Sequence, residues 1–474
     1  MNSTQITALV IILVYMAVTV AIGLFASRKK TEEKQSNDDF LMASKSLGPV
    51  VLAGTLFAAN TGGASTTGIA TNVFQYGLSA SWYVIAGGIG FVLVSFIAPY
   101  FRRAQANTVP EIISKRYGKA SHIFTAFTSI SALFMATGAQ FIATASIINV
   151  VTGFDFETAA IVSTIVVVIY TMFGGFKSVT ATNLMHVLFI TVGMTIAMFV
   201  MVNNPEVGGF GALFEKARAM QDAAGNNMNI LSMTKIGGTT IIGYIAMYFM
   251  TFPTGQEIVQ TYCSAKDGKS AKLGSILAGL VSAAYAIVPA IIGLLAYVCI
   301  DGYVLAGSQK NALAQATITF APSILAGVVL AAIVAATMSS ASGNMIGTAT
   351  MFTNDVFTPY INKGVKDDKK EIWISKVTML VVGVVGLFIA LKASNVISVM
   401  MGAFALRSAG PFAAFICGLF CKNVTKRAGF ISILVGTIVA AIWIYVLDTP
   451  GGLNAMVPGG IAVSYTHLTL PTIA

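Results

Sequence analysis

Two strongly apolar stretches of this chain are each interrupted halfway by polar residues with glycine or proline. Residues 51–78 are broken at 60–63 (NTGG), and residues 237–262 are broken at 251–255 (TFPTG). Lipid offers the backbone no hydrogen-bond partner, so a break at membrane depth is tolerated only where it lines a cavity or a site. Breaks at matching places in two halves of a chain indicate a secondary transporter's binding site. The residues that we expect to form the breaks and to act in gating are Asn60, Gly62, Gly63, Pro253 and Gly255.

The composition is that of a membrane protein. Of the 474 residues, 56% are hydrophobic and only 10% are charged, which excludes an ordinary soluble domain. Because a helix needs about 20 apolar residues to cross the bilayer, the sequence predicts an all-α protein with twelve transmembrane helices in one domain over residues 1–462. The predicted spans lie near residues 5–26, 49–77, 79–101, 121–151, 156–175, 183–203, 237–262, 273–300, 324–354, 374–394, 396–421 and 428–447.

The positive charge of the chain indicates topology rather than a nucleic-acid partner. The formal net charge is +10, and most of the 28 basic residues fall on alternate loops, beginning with the loop after the first span. The positive-inside rule then predicts a multi-pass protein of the inner (plasma) membrane with its N-terminus outside. We expect Arg116 and Lys119 on an inner loop to contact lipid phosphate.

The end of the chain is unlike the rest. Residues 463–472 read VSYTHLTLPT, which back-translates to a nucleotide sequence resembling a transposase end joined to a sequencing-library adapter. We therefore exclude residues 463–474 from the fold prediction as an adapter-derived tail. On this interpretation residues 458–461 begin a thirteenth span that truncation removed.

Six motifs in order resemble the bacterial sodium:solute symporters, relatives of the sodium-coupled proline, pantothenate, sugar and sialic-acid carriers. The resemblance covers nearly all of residues 5–462. It implies a leucine-transporter-type fold with two inverted five-helix repeats, at about 49–203 and 237–421, each opened by one broken span. The motifs are FAANTGGASTTG, TVPEIISKRYG, YTMFGGFKSVTATN, QEIVQTYCSAKDGKSAKLG, AATMSSASGNMIGTATMFTNDVF and GPFAAFICGLFCKNVTKRAG.

The resemblance also implies a sodium site at the first break. The principal site of the family maps onto the carbonyls of Ala58 and Thr61, faced in the ninth span by the carbonyls of Ala336 and Ser339 and the hydroxyl of Ser340. Oxygen ligands of this kind suit a hard cation. The structural alternative for two serines within a span is hydrogen bonding to the preceding helical turn.

A second sodium site of some relatives is weakened here. Its aspartate position holds Asn183, and its later serine pair reads Ser342-Gly343. The sequence therefore predicts one sodium ion per transport cycle.

The substrate is expected between the two breaks, where half-helix N-termini face the solute. Sugar carriers of the family use Gln and Glu where this chain has Ser65 and Val84, which disfavours a sugar. The candidate lining residues are Ser65, Thr66, Tyr83, Gln140 and Gln256.

Two further charges lie within apolar spans. Arg407 is in the eleventh span, where a buried cation is costly unless it is paired or hydrated, and Glu257 follows the second break. One hypothesis is that Arg407 binds a substrate carboxylate and pairs with Glu257 in the empty state. The alternative is that Arg407 has a structural role and that Glu257 lies near the inner vestibule.

These observations predict sodium-coupled import of a small organic solute by alternating access. Proton coupling and a membrane sensor that binds solute without transport are the alternatives. The sequence contains no recognisable nucleophile–base pair or phosphate-binding loop, so we do not expect an enzyme.

Overall fold

The computed structural model describes residues 1–28, 47–104, 108–223, 229–300, 308–393, 395–420, 425–447, 449–450 and 454–463. Regular structure in these residues is helical, apart from an isolated bridge between Leu47 and Ala265, so the predicted all-α class is confirmed. In chain order the α-helices are α1 (Ser3–Arg28), α2 (Pro49–Asn60), α3 (Ile69–Tyr76), α4 (Trp82–Val94), α5 (Ala98–Ala104), α6 (Val109–Tyr117), α7 (Lys119–Thr152), α8 (Phe156–Leu188), α9 (Met194–Val202), α10 (Gly209–Ala223), α11 (Gly238–Thr251), α12 (Gln256–Cys263), α13 (Gly268–Tyr285), α14 (Ile287–Cys299), α15 (Ala312–Phe320), α16 (Ser323–Met351), α17 (Asp368–Lys392), α18 (Val396–Ser408), α19 (Pro411–Phe420) and α20 (Lys426–Tyr445).

Many of these helices are suited to a bilayer. Within the described residues, 7 helical stretches are long and apolar enough to cross a membrane, and the pair α18 and α19, bent by 41°, makes an eighth. Shorter apolar segments remain at Ser3–Thr19, Pro49–Asn60 and Phe156–Met172. The count of twelve spans, and a thirteenth beyond them, stays a prediction.

One predicted boundary differs from the structure. The fifth and sixth spans were expected as separate helices, but α8 is continuous and leads through a π-helical turn, Phe189–Gly193, directly into α9. Residues 156–202 contain no proline, and Gly174-Gly175 weaken a helix without forbidding it.

Asp155 caps α8 by accepting a hydrogen bond from the Thr158 N–H, which keeps the pKa of this exposed carboxyl below its ordinary value.

The first break is a rearrangement of the helix rather than a loop. Helix α2 ends at Asn60, Thr61 leaves helical geometry (φ −101°, ψ 76°), and a π-helical turn at Ala64–Gly68 leads into α3. The Gly63 N–H donates to Oε1 of Gln140 on α7 over 2.7 Å. The first break therefore obtains its missing backbone partner from a neighbouring helix.

Helix α7 approaches this break so closely that only glycine fits. A Cβ on Gly62 would lie 2.4 Å from Gln140 Oε1, and a Cβ on Gly63 would lie 2.2 Å from Cβ of Ala143. The second contact is with a rigid atom that no rotamer change can move aside. The glycines predicted at the break are thus required by packing.

The second break combines a 3₁₀ turn with one extended residue. Helix α11 ends at Thr251, the turn covers Phe252–Thr254 with Pro253 inside it, and Gly255 is extended (φ −82°, ψ 118°) before α12 begins. Proline has no N–H to leave unpaired. The Thr251 and Thr254 hydroxyls contact Ser408 Oγ on α18 at 2.7 and 2.9 Å, which joins the second break to that helix.

Helix α16 is the most deeply buried span and packs against α1, α7 and α8. It carries Ser339 and Ser340, both buried, opposite the first break. Residues 464–474 of the predicted tail lie outside the described residues, and Val463 is buried at the end of a short helix over 456–463.

Replacing Gly63 with alanine is expected to destabilise the protein. The new Cβ collides with Ala143, and overpacking of this kind costs about 1–3 kcal/mol. Gly343→Ala on α16 is the matched control, because its Cβ has no atom within 4 Å and alanine is the better helix former by about 1 kcal/mol. Thermal unfolding in detergent should show a lower midpoint for Gly63→Ala only. Equal midpoints for both variants would contradict the close packing of α7.

Candidate functional site

A cavity lies between the two breaks. Both broken spans contribute to it, together with α4, α7, α16 and α18. It is lined by Ala59, Asn60, Gly62, Ala64, Tyr83, Ala136, Gln140, Phe252, Glu257, Ile258, Ser340, Asn344, Met400, Phe404 and Arg407.

Four of the seven predicted substrate residues line this cavity, namely Tyr83, Gln140, Glu257 and Arg407. They come from α4, α7, α12 and α18, which are far apart in sequence. The tertiary fold therefore brings together residues that were singled out separately.

Ser65 and Thr66 are not among the lining residues. The Ser65 hydroxyl donates to the Asn60 carbonyl at 2.8 Å, and the Thr66 hydroxyl donates to the Gly62 carbonyl at 3.0 Å. Their hydroxyls are occupied by carbonyls that the break leaves without an intrahelical partner. In the structure they stabilise the turn rather than face the cavity.

Gln256 also points elsewhere. Its Oε1 accepts a hydrogen bond from the Val109 N–H at the start of α6, at 3.0 Å. Successive residues of a helix point about 100° apart, so Glu257 can face the cavity while Gln256 faces α6.

An ion pair forms one polar edge of the cavity. Arg407 Nη1 lies 2.7 Å from Glu257 Oε1, and the two side chains are 3% and 16% exposed. The guanidinium also lies over the Phe404 ring, 4.9 Å from its centroid. Among the described residues, Arg407 Nε and Glu257 Oε2 have no hydrogen-bond partner. Each charged group therefore has one atom whose hydrogen bond the ion pair does not supply.

Close backbone packing at the second break supports this pair. A Cβ on Gly255 would lie 2.8 Å from Nη2 of Arg407 and 3.0 Å from Oε1 of Glu257. Glycine at this position leaves the space that the guanidinium occupies.

Two oxygen atoms of the predicted sodium site, one on α2 and one on α16, lie close together at the first break. The Ser340 hydroxyl lies 3.4 Å from the Ala58 carbonyl oxygen. Two oxygens bound at right angles to one cation at about 2.4 Å, a distance typical of Ca²⁺, would be separated by about 3.4 Å, and Na⁺ is of nearly the same size. Thr61, which directly follows α2, and Ala336 and Ser339 on α16 are also buried.

Aromatic side chains form a firm apolar wall beside the ion pair. The Tyr83 ring packs edge-on against Tyr244 and Tyr248, and Phe252 stacks on Phe91 with centroids 4.0 Å apart. Such packing fixes ring positions and favours a solute with an apolar part.

Two polar lining residues were missed or given another role by the sequence analysis. Asn344 was not singled out, although it lies one helical turn after Ser340 and so shares its face. Asn60 was predicted only as part of the break, yet it lines the cavity, and its buried Nδ2 has no partner in the described part of the chain.

The region of the second sodium site has a different arrangement. The Ser342 hydroxyl is 2.7 Å from the hydroxyl of Thr171. The side chain of Asn183 lies outside the described residues. One sodium ion per cycle stays a prediction.

A separate polar cluster anchors the short helix α6. Asp355 Oδ1 accepts from the Thr108 hydroxyl at 3.0 Å and lies 2.8 Å from Nε2 of His122. Thr108 in turn caps α6 by accepting a hydrogen bond from the Glu111 N–H. The N-terminus of α6 is therefore bound by two elements, α12 through Gln256 and the helical turn after α16 through Asp355.

Two spans broken around a polar cavity are typical of secondary transporters. Residues 40–436 match the Sodium:solute symporter family, and the chain belongs to that family. The curated relatives it resembles include two Bacillus subtilis proteins, the osmoregulated proline transporter OpuE (24% identical, 94% of this chain and 91% of that protein) and the high-affinity proline transporter PutP (26%, 89% of each). The sodium/glucose cotransporter of Vibrio parahaemolyticus is 25% identical over 89% of this chain and 82% of that protein.

Solved structures show the same fold. A substrate-bound, outward-open Na⁺-coupled sialic acid symporter superposes with a TM-score of 0.79 at 19% identity, over 99% of this chain and 98% of the other. MhsT in complex with L-phenylalanine gives 0.54 at 12% identity, over 89% and 98%. The leucine-transporter-type fold is confirmed.

The chain is therefore a multi-pass membrane protein that performs sodium-coupled solute import by alternating access. The predicted family and transport class are confirmed, and the family comprises transporters rather than enzymes.

Breaking the ion pair is expected to destabilise the protein more than removing both charges. Arg407→Gln leaves Glu257 charged and unpaired, and Glu257→Gln does the same to Arg407. An unpaired buried charge costs about 3–5 kcal/mol, and the lower end applies because Glu257 is 16% exposed. The double variant should unfold at a higher temperature than either single one. Additive losses in this double-mutant cycle would contradict the pair.

Proposed function

We propose that this protein imports a small carboxylate-bearing solute together with one sodium ion per cycle. The observation that carries the proposal is Arg407, a buried cation that lines the cavity and contacts Glu257 through Nη1. The direction is inward across the inner membrane, with the N-terminus outside, as the distribution of basic loops favours.

A carboxylate is the ligand that best suits Arg407. Guanidinium has five N–H donors and binds carboxylates through paired hydrogen bonds. Glu257 Oε1 is 2.7 Å from Nη1, while Nε has no partner among the described residues. A solute carboxylate at the cavity edge would supply a further acceptor for the guanidinium.

The sodium ion is proposed at the first break, between α2 and α16. Its ligands are the carbonyls of Ala58, Thr61, Ala336 and Ser339 and the hydroxyl of Ser340. The 3.4 Å between Ser340 Oγ and the Ala58 oxygen supports this assignment. The two breaks are proposed to open two inverted repeats, at about 49–203 and 237–421.

The solutes named for the relatives are consistent with this proposal only in part. Proline carries a carboxylate, whereas glucose does not. Ser65 and Val84 occupy the positions where sugar carriers of the family use Gln and Glu, which disfavours a sugar. Arg407 is the basic residue on the cavity lining, and one guanidinium is enough to bind one carboxylate.

The sodium assignment predicts a selective effect of one serine. Ser340→Ala removes a proposed ligand, so the sodium concentration for half-maximal uptake should rise about tenfold or more in proteoliposomes, as for loss of one hydrogen bond to a charged group. Ser342→Ala is the matched control, because Ser342 contacts Thr171 instead. Both should keep a sodium Hill coefficient near one. Uptake that is unchanged when choline replaces sodium would favour the proton-coupled alternative.

The carboxylate assignment predicts the behaviour of Arg407→Gln. A thermal-shift screen of acids, amino acids, sugars and nucleosides in sodium buffer first identifies a solute. Its KM should then rise about tenfold or more in the variant, since a paired charge-assisted contact is lost. Counterflow by the unaltered protein excludes the sensor alternative. An acid transported by Arg407→Gln with unchanged KM would refute the carboxylate role.

A further inference from the structure

We propose that Gln140 is a positioning residue for the sodium ion and that it couples the ion to the solute. Its side chain accepts a hydrogen bond from the backbone of the first break, and the same residue lines the solute cavity. This inference rests on the proposed sodium site and deepens it, because it names the side chain through which the occupant of the cavity changes sodium affinity.

The Gln140 side chain fixes a peptide plane beside the proposed sodium ligands. Gln140 is 4% exposed, and its Oε1 accepts the Gly63 N–H at 2.7 Å. The Thr61 carbonyl, a proposed ligand, belongs to the peptide plane directly before the plane that carries this N–H. Gly62 joins the two planes and by itself allows many orientations. The bond to Gln140 therefore supplies an orientation that the local sequence does not impose.

The amide group of Gln140 lies where the break and the cavity wall coincide. A Cβ on Gly62 would lie 2.4 Å from Oε1, 2.9 Å from Cδ and 3.0 Å from Nε2 of Gln140. The whole amide group is thus in close contact with Gly62, and both residues line the cavity. Close packing on the backbone leaves the amide little freedom to move away from the break.

Helix α7 also contacts the other half of the proposed sodium site. The Thr144 hydroxyl, one turn after Gln140, lies 2.7 Å from the hydroxyl of Thr337 on α16. Thr337 directly follows Ala336, whose carbonyl is a proposed ligand, and both threonines are buried. Through Gln140 and Thr144, one helix therefore holds the two elements between which the ion is proposed to bind.

This arrangement lets the ion and the solute affect each other. Hydrogen bonds in a chain polarise one another, so a solute acceptor that takes an amide N–H of Gln140 makes Oε1 a better acceptor for Gly63. A carboxylate oxygen is such an acceptor. A break held more firmly loses less freedom when sodium binds, so the solute raises sodium affinity. Linkage then requires that sodium raises the affinity for the solute by the same factor.

Sodium titrations of the purified protein without solute test the positioning role. Sodium replaces choline stepwise, and the apparent sodium Kd is obtained from the rise of the thermal unfolding midpoint. Gln140→Met removes the acceptor and should raise this Kd about tenfold or more, as for one lost buried hydrogen bond. Gln140→Glu keeps an oxygen acceptor in either protonation state and should not weaken sodium binding.

Thr137→Val is the matched control on the same helix. Thr137 is buried one turn before Gln140, and its hydroxyl donates to the Leu133 carbonyl at 2.8 Å within α7. This variant should lower the unfolding midpoint at every sodium concentration and leave the sodium Kd unchanged. A merely structural role of Gln140 would give the same pattern in Gln140→Met, and that result would overturn the inference.

The coupling is tested with acetate, L-lactate, succinate, L-proline and sialic acid as probes. At least one acid should lower the apparent sodium Kd of the unaltered protein about fivefold or more. In Gln140→Met this factor should fall towards one, while the acid still stabilises the variant in choline through Arg407. A factor equal to that of the unaltered protein, the absence of any acid effect on the sodium Kd, or complete loss of acid binding would each contradict the coupling role.

Ser340→Ala separates this inference from the proposed function. If Ser340→Ala raises the sodium Kd and Gln140→Met does not, the role of Gln140 fails while the proposed sodium site stands. If sodium and choline are equivalent for the unaltered protein, the proposed sodium coupling at this site fails as well.

Discussion

The hydrogen bond from the Gly63 N–H to Gln140 Oε1, 2.7 Å long, is the contact on which the rest of the site depends. It lets helix α2 stop at membrane depth without leaving this donor unpaired. Once α2 stops, its last carbonyls lose their intrahelical partners. One of them, on Ala58, then lies opposite Ser340. A side chain on α7 thus makes a cation site possible between two other helices.

The second break serves a different purpose from the first. Its turn places Glu257 at the start of α12, and the absence of a side chain on Gly255 admits the guanidinium of Arg407. The first break supplies neutral oxygens, whereas the second supplies a formal charge. Two similar interruptions in sequence have therefore become chemically distinct sides of one cavity.

Much of this arrangement could be predicted because it is local. Glycine at 62 and 63 and proline at 253 mark the breaks directly in the sequence. The orientation of Ser65 and Thr66 could not be predicted, since it depends on a π-helical turn that shifts the residues around the axis. The Arg407–Glu257 contact joins residues 150 positions apart, and only tertiary packing of the second broken span against α18 determines it. The continuity of α8 was missed because the spans were delimited by apolar length, and the more polar stretch 177–183 interrupts the apolar run without ending the helix.

The two anchors of α6 have a consequence for motion. Its first N–H, on Val109, is paired with Gln256 of a broken span, while its cap residue Thr108 is paired with Asp355, which follows α16. A displacement of α12 relative to α16 cannot preserve both bonds unless α6 bends or shifts. An amide left without an acceptor there costs about 1–3 kcal/mol. Helix α6 therefore links the element that carries Glu257 to the element that carries the proposed sodium ligands.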